Sequence, residues 1–204
     1  MPNLIIDLYH GDPVDASGGF HAMKGAGLLG LVHKATDGLT ATDSEYQSRR
    51  HRADAVGLLW GAYHFGQNAD GAAQARHFLD FVRPDPKTLV CLDWESPLRG
   101  RSPMTLAQAE AFAGEVRSRL GRWPVLYSGR SFLLEHHVPH SSPLAQCPLW
   151  VARYASVLGG APAPWKDWLF WQFTDSGTEP GVTGAVDVDK YNGTPAQLLA
   201  GWPF

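Results

Sequence analysis

Residues 89–95 read Leu89-Val90-Cys91-Leu92-Asp93-Trp94-Glu95. Pro84 and Pro86 precede the run and Pro97 follows it, so it has the length and apolarity of a buried strand rather than a helix. Side chains alternate faces along a strand, which points Asp93 and Glu95 the same way. Two carboxylates in one site push their pKa values apart, one staying ionised and one keeping its proton. That pairing suits a reaction in which one acid protonates a leaving oxygen and the other meets positive charge at a sugar carbon. The same two residues also fit an ordinary surface loop, and the rest of the chain decides between the readings.

Upstream, Asn3 to Leu8 predicts a first strand carrying Asp7, stopped by Gly11-Asp12-Pro13. Phe20 to Lys24 predicts a short helix, Leu28 to His33 a second strand leading into Lys34-Ala35-Thr36-Asp37-Gly38, and Val56 to Phe65 a third. Asp43 or Ser44 can cap a helix reaching about Ala55, and Asp70 one reaching about Val82. Downstream, Leu98 to Pro103 is a loop. Thr105, three residues before Gln108, opens a capping box for a helix to Leu120. Strands follow at Pro124 to Tyr127, Leu149 to Ala152, Leu169 to Phe173 and Val186 to Val188, with a short helix from Arg130 to about Glu135. Gly159 to Pro164 is a loop, and Pro195 to Leu199 predicts a closing helical turn.

Strands alternate with helices as far as about Glu135, the pattern of parallel βαβ units; after that, strand follows strand. Eight strands in 204 residues predict one α/β domain over the whole chain, a small irregular barrel of the TIM type. An open doubly wound sheet is the competing fold, and the lack of a glycine-rich phosphate loop after the first strand lowers its nucleotide-binding form. The site of a β/α barrel lies at the C-terminal strand ends. Those ends carry Asp7, His33 with Lys34, Tyr63 with His64, Asp93 with Glu95, Tyr127, the stretch from Trp150 to Tyr154, Gln172, and Asp187 with Asp189. Acids and aromatics converging on one mouth suit a neutral, polyhydroxylated substrate.

A net charge of −3 gives no reason to expect nucleic acid or an anionic membrane surface as partner. No apolar run is long enough to cross a membrane, and the first dozen residues do not read as a signal peptide. The sequence has no zinc-protease helix motif, no cysteine pair and no calcium loop, so neither a metal nor another cofactor is expected. A nucleophile elbow is missing as well. Cys91 and Cys147 are the two cysteines; they make no disulfide framework, although a single bridge between them stays open. The oligomeric state is not legible.

In order along almost the whole chain stand IIDLYH with Asp7, LVHKATDG (31–38), GAYHF (61–65), LDWE (92–95), PVLYSG (124–129), LWVARY (149–154), LFWQFTDSG (169–177) and GAVDVDKYNG (184–193). Taken together they resemble the glycoside hydrolase family 25 lysozymes, the Chalaropsis-type N-acetylmuramidases. The resemblance implies a (β/α)5(β)3 barrel. It also implies hydrolysis of the β-1,4 bond between N-acetylmuramic acid and N-acetylglucosamine in bacterial peptidoglycan. By motif match, Glu95 takes the general-acid position with Asp93 as its carboxylate partner, and Asp7 and Asp187 are the other cleft acids. Tyr63, Tyr127 and Trp150 fall where the family holds the sugar; Lys34, His64 and Gln172 join them as candidate substrate contacts from their strand-end positions. Glu95 is expected to have its pKa raised by Asp93 and by burial. The oxocarbenium-like charge is met either by a carboxylate or by the substrate's own acetamido oxygen, oriented by Asp93.

The chain departs from the family pattern in three places. Leu8-Tyr9-His10-Gly11 follows Asp7, where Ser and then Gln or Asn are usual. Asp37 replaces Glu, and Asp189 stands where Asn is common. These changes bear on the sugar-contacting subsites more than on the paired acids. The rivals are a chitinase-like or N-acetylglucosaminidase hydrolase and a glycan-binding barrel without activity. Cys91, two before Asp93, argues against the chitinase D-x-D-x-E motif. Four intact acids argue against a dead barrel. The expected place of action is the cell wall, extracellular or periplasmic, with a phage lysin or an exported effector both compatible.

Overall fold

The run that opened the reading is the strand β5 (Leu89–Asp93), and the sheet is built on both sides of it. A computed structural model describes residues 5–97 and 102–204. The other strands are β1 (Ile5–Leu8), β2 (Gly30–Asp37), β3 (Ala41–Thr42), β4 (Leu59–Phe65), β6 (Val125–Gly129), β7 (Leu149–Ala152), β8 (Phe170–Gly177) and β9 (Val186–Tyr191). Neighbours pair in the order β1-β9-β8-β7-β6-β5-β4-β2, and β2 pairs back to β1, which closes an eight-stranded barrel. Every pairing among β1, β2 and β4 to β8 is parallel, while β9 runs antiparallel to both β8 and β1. The short β3 pairs on β2 outside the ring.

Helices α1 (Gly19–Gly25), α2 (Tyr46–Ala55), α3 (Gly71–Val82), α4 (Leu106–Leu120) and α5 (Arg130–His136) connect the first six barrel strands, and α6 (Pro195–Gly201) follows β9. Five strand–helix units followed by three strands are the (β/α)5(β)3 arrangement. Alternation along each strand divides the core in two. Ile5, Val32, Leu89, Cys91, Val125, Trp150 and Phe170 fill the barrel. Ile6, Leu31, Ala62, Val90, Leu92, Leu126 and Val151 meet the helix layer. By the same parity Asp93 points inward.

Local signals account for most boundaries. The Asp70 side chain accepts the Ala73 N–H at 2.7 Å and starts α3 where expected. Thr105 and Gln108 form the reciprocal capping box of α4, and Thr194 with Gln197 repeats it for α6. Neither Asp43 nor Ser44 is the N-cap of α2. That position is Glu45, and Asp43 instead accepts from the Glu45 and His10 backbone N–H groups at 2.9 Å each. β2 runs on to Asp37, beyond the predicted His33, because β4 continues beside it to Phe65. β4 starts only at Leu59, since Val56 and Gly57 turn the chain out of α2. β3 and the 3-10 turn Pro143–Gln146 are additions to the predicted elements. Asn3 and Leu4, and most of the predicted Leu98 to Pro103 loop, lie outside the described residues. Cys91 and Cys147 are buried free thiols, Cys91 inside the barrel and Cys147 in the outer layer, so the bridge does not form. Among the described residues no helix is long and apolar enough to cross a membrane.

Candidate active site

At the C-terminal end of the parallel strands, Asp7, Tyr63, Asp93, Glu95, Tyr127, Trp150 and Asp187 line one cavity of about 350 Å³. Asp7 on β1 and Asp187 on β9 are register partners across the antiparallel joint. Asp93 ends β5, and Glu95 lies beyond the strand rather than on it. Glu95 still faces the cavity because the intervening Trp94 is fixed outward. The Trp94 N–H donates to Tyr127 O at 2.9 Å. Its carbonyl accepts from Ser128 Oγ at 2.6 Å. Its indole N–H donates to Met104 O at 2.7 Å, with the Phe132 ring edge-on against it. A fully buried Trp pinned at three points leaves the residues either side of it little choice of direction.

The acids are short of water and of partners. Burial, reinforced by the charge of Asp187 and opposed by Lys34, lifts Glu95 to about 7. Asp93 is pushed well above the usual range by burial first and then by the charge of Glu95. The expected direction for Glu95 therefore holds, with burial the largest cause and the like charges of Asp93, Glu95 and Asp187 acting on one another within the cavity. Asp93 Oδ1 is buried without a hydrogen-bond partner among the described residues. Burial and the charge of Asp12 bring Asp187 to about 6, and Asp7 rises through burial and the charges of Asp189 and Asp187.

Gln172 ties the far wall together. Its Nε2 donates to Asp7 Oδ2 at 2.7 Å, and its Oε1 accepts from the Tyr127 hydroxyl at 2.8 Å and the Tyr154 hydroxyl at 3.0 Å. It is a buried support and does not line the cavity. Lys34 stands beside the cavity, its Nζ 3.0 Å from Asp37 Oδ2, where its charge opposes the rise of both Asp93 and Glu95. His64 is not brought to the cavity. It occupies the opposite parity from Tyr63, bonds Thr36 Oγ1 at 2.7 Å and Gln74 Oε1 at 3.1 Å, and stacks on Phe112. Burial holds it neutral, near 4, so its place is under the helix layer.

The family model described as glycosyl hydrolases family 25 matches residues 6–182. The chain belongs to that family. It is 30% identical over 191 residues to Lysozyme M1 of Streptomyces globisporus, covering 88% of this chain and 65% of that protein. The autolytic lysozyme of Clostridium acetobutylicum is 29% identical over 190 residues, covering 92% of this chain and 55% of its own length. The chain thus spans about half to two thirds of these curated relatives. Among solved structures, the bacterial lysozyme of Streptomyces coelicolor gives a TM-score of 0.84 at 29% identity, covering 96% of this chain and 94% of that one. A muramidase from Acremonium alcalophilum gives 0.83 at 30%, covering 96% of both.

In this family 25 barrel the matched span holds Asp7, Asp93 and Glu95 but stops before Asp187 and Asp189. Asp189 stands among the predicted strand-end acids without a catalytic or binding role. It is fully buried, and its Oδ1 accepts from Trp150 Nε1 at 2.6 Å, which fixes that ring in the cavity wall. The signal for it was the V-D-V-D alternation, which puts Asp187 and Asp189 on one face. Arg130 was missed, and Arg153 and Tyr154 lie in the predicted strand-end stretch from Trp150 without an assigned role. With Glu95 and Tyr127 they wall a second hollow, contiguous with the first.

Proposed function

We propose that this family 25 barrel is a 1,4-β-N-acetylmuramidase that hydrolyses bacterial peptidoglycan at the cell wall. The observation that carries the reading is Glu95, held by burial at a pKa of about 7 in an acid cavity with aromatic walls. A carboxyl group with that pKa keeps its proton in mildly acidic and neutral solution and can still release it to a glycosidic oxygen. Asp93 supplies the second function. Its unpartnered Oδ1 suits the N–H of a 2-acetamido group, which turns the acetamido oxygen toward the anomeric carbon. This favours the route in which the substrate's own oxygen meets the oxocarbenium charge, with Asp93 orienting and stabilising it. Asp7 and Asp187 complete the acidic surround, and Tyr63, Tyr127 and Trp150 pack the sugar.

The relatives named lysozyme and muramidase support the substrate. The test is the identity of the new reducing end. Peptidoglycan digested with the protein, reduced with borohydride and hydrolysed should yield muramitol. Glucosaminitol alone would move the cut to the other linkage, and release of reducing sugar from chitin in preference to peptidoglycan would favour the chitinase-like rival.

A further inference from the structure

We propose that the hollow beside the acid cavity, walled by Arg130 and Arg153, binds a carboxylate of the stem peptide that peptidoglycan carries on its muramyl sugars. The inference rests on the muramidase reading and adds a specificity determinant to it. The hollow is roomier than the acid cavity, is open to solvent, and shares Glu95 and Tyr127 with it. A glycan seated at Glu95 therefore runs on into this space, which has room for a sugar and its substituent.

Six of the described arginines lie outside ion-pair distance of any described carboxylate, and two of them, Arg130 and Arg153, wall this hollow. Arg49, Arg50, Arg76 and Arg119 each lie within ion-pair distance of a carboxylate. Arg130 and Arg153 pair with none among the described residues. One Arg153 amino group donates to Leu158 O, which anchors the side chain. Arg130 Nε is buried and has no acceptor among the described residues. A buried donor on a cation is costly to leave unmatched, and the planar guanidinium fork fits a carboxylate with two parallel bonds. The Ser131 side chain and the half-exposed Tyr154 complete the polar wall.

Charge balance points to the same ligand. The acids Asp7, Asp93, Glu95 and Asp187 offer no counter-charge to a polymer that carries its own carboxylates. Cations just outside the acid cavity give that charge a place to rest while the neutral sugar enters. A stem peptide starts at the lactyl ether of each muramyl residue, so its carboxylates recur at a set spacing from the cut bond. Phosphodiester polymers attached to some walls offer the same anionic chemistry at irregular intervals.

The experiment compares steady-state hydrolysis of three substrates: glycan bearing stem peptides, glycan freed of them by an amidase, and stem-bearing wall freed of phosphodiester polymer by hydrofluoric acid. The wild type should prefer stem-bearing over peptide-free glycan by about ten- to a hundredfold in kcat/KM, the range of one or two charge-assisted bonds. In the Arg130→Gln/Arg153→Gln variant that ratio should fall to within about threefold, mainly through KM. Should the double variant fail to fold, Arg153→Gln alone, at an exposed position, should still compress the ratio. A wild type without preference, or variants that keep it, overturns the proposal. A preference that disappears on hydrofluoric acid treatment transfers the site to the phosphodiester and overturns the carboxylate assignment. If the wild type releases no muramyl ends from any substrate, the muramidase reading itself fails, and the same assay shows it.

Discussion

Glu95 keeps its proton first because water is scarce around it and second because Asp187 faces it. Glu95→Gln keeps the shape but cannot give up a proton, so turnover on peptidoglycan should fall by about 10²–10⁴-fold with the melting temperature undiminished. Activity within a factor of two of wild type would take Glu95 out of the role. The protonated form is the active one, so kcat/KM should decline as pH rises through about 7. Asp187→Asn removes a negative charge that favours protonation of Glu95. That decline should then move to lower pH, by up to about one unit. An unmoved limb would mean that burial alone sets the Glu95 pKa. Asp93→Asn should lower turnover strongly and also move this limb, because two carboxyl groups sharing a site titrate together.

At the scale of elements, strand parity was the most legible feature and also the one incompletely applied. The alternation of LVCLD gave the inward face of β5 correctly, because a strand buried on both faces still has only two directions. The same rule, carried along β4 from Tyr63 to His64, puts the histidine on the outer face. At the end of a strand, only every second residue faces the mouth. Caps were legible because Asp70, Thr105 and Thr194 act within three residues of themselves. The arginine hollow was not, because it joins the connections after β6 and β7, and no local pattern links Arg130 to Arg153. Close helix packing is another long-range feature. A Cβ on Gly71 would lie 1.8 Å from Gln108 O, at the contact of α3 with α4. Gly71→Ala should therefore cost about 1–3 kcal/mol or more as the helices are pushed apart. Thr105→Ala, which removes only a cap, should cost about 1 kcal/mol. Urea denaturation of both variants checks the order, and equal losses would contradict the tight contact.

Across the whole molecule, the acids that define the cavity work against the fold that holds them. Asp7, Asp93 and Asp189 are raised well above their usual range, Glu95 to about 7 and Asp187 to about 6. Below pH about 4 such groups are protonated in both folded and unfolded chains. Above it the folded chain binds more protons than the unfolded one, so their contribution to stability falls as pH rises toward the folded pKa values. Asp189→Asn keeps an acceptor for Trp150 Nε1 and removes a buried acid. Its melting temperature should exceed that of the wild type at pH 8, at about 2–4 °C per kcal/mol for a domain of this size. The advantage should shrink toward pH 4. An equal difference at both pH values would show that Asp189 contributes no charge penalty.

The antiparallel strand β9 has a kinetic consequence. It is hydrogen-bonded to its sequence neighbour β8 on one side and to β1 on the other, so Asp187 must find Asp7 across nearly the full length of the chain. Contacts so remote form late, after the local strand–helix units have collapsed. Until they form, β1 and β9 each present a row of open backbone groups, and such edges invite pairing between chains. Refolding yield should therefore depend on protein concentration more than the closed native state suggests. The acid cavity, two of whose four acids ride on that last seam, should acquire activity only in the slowest phase.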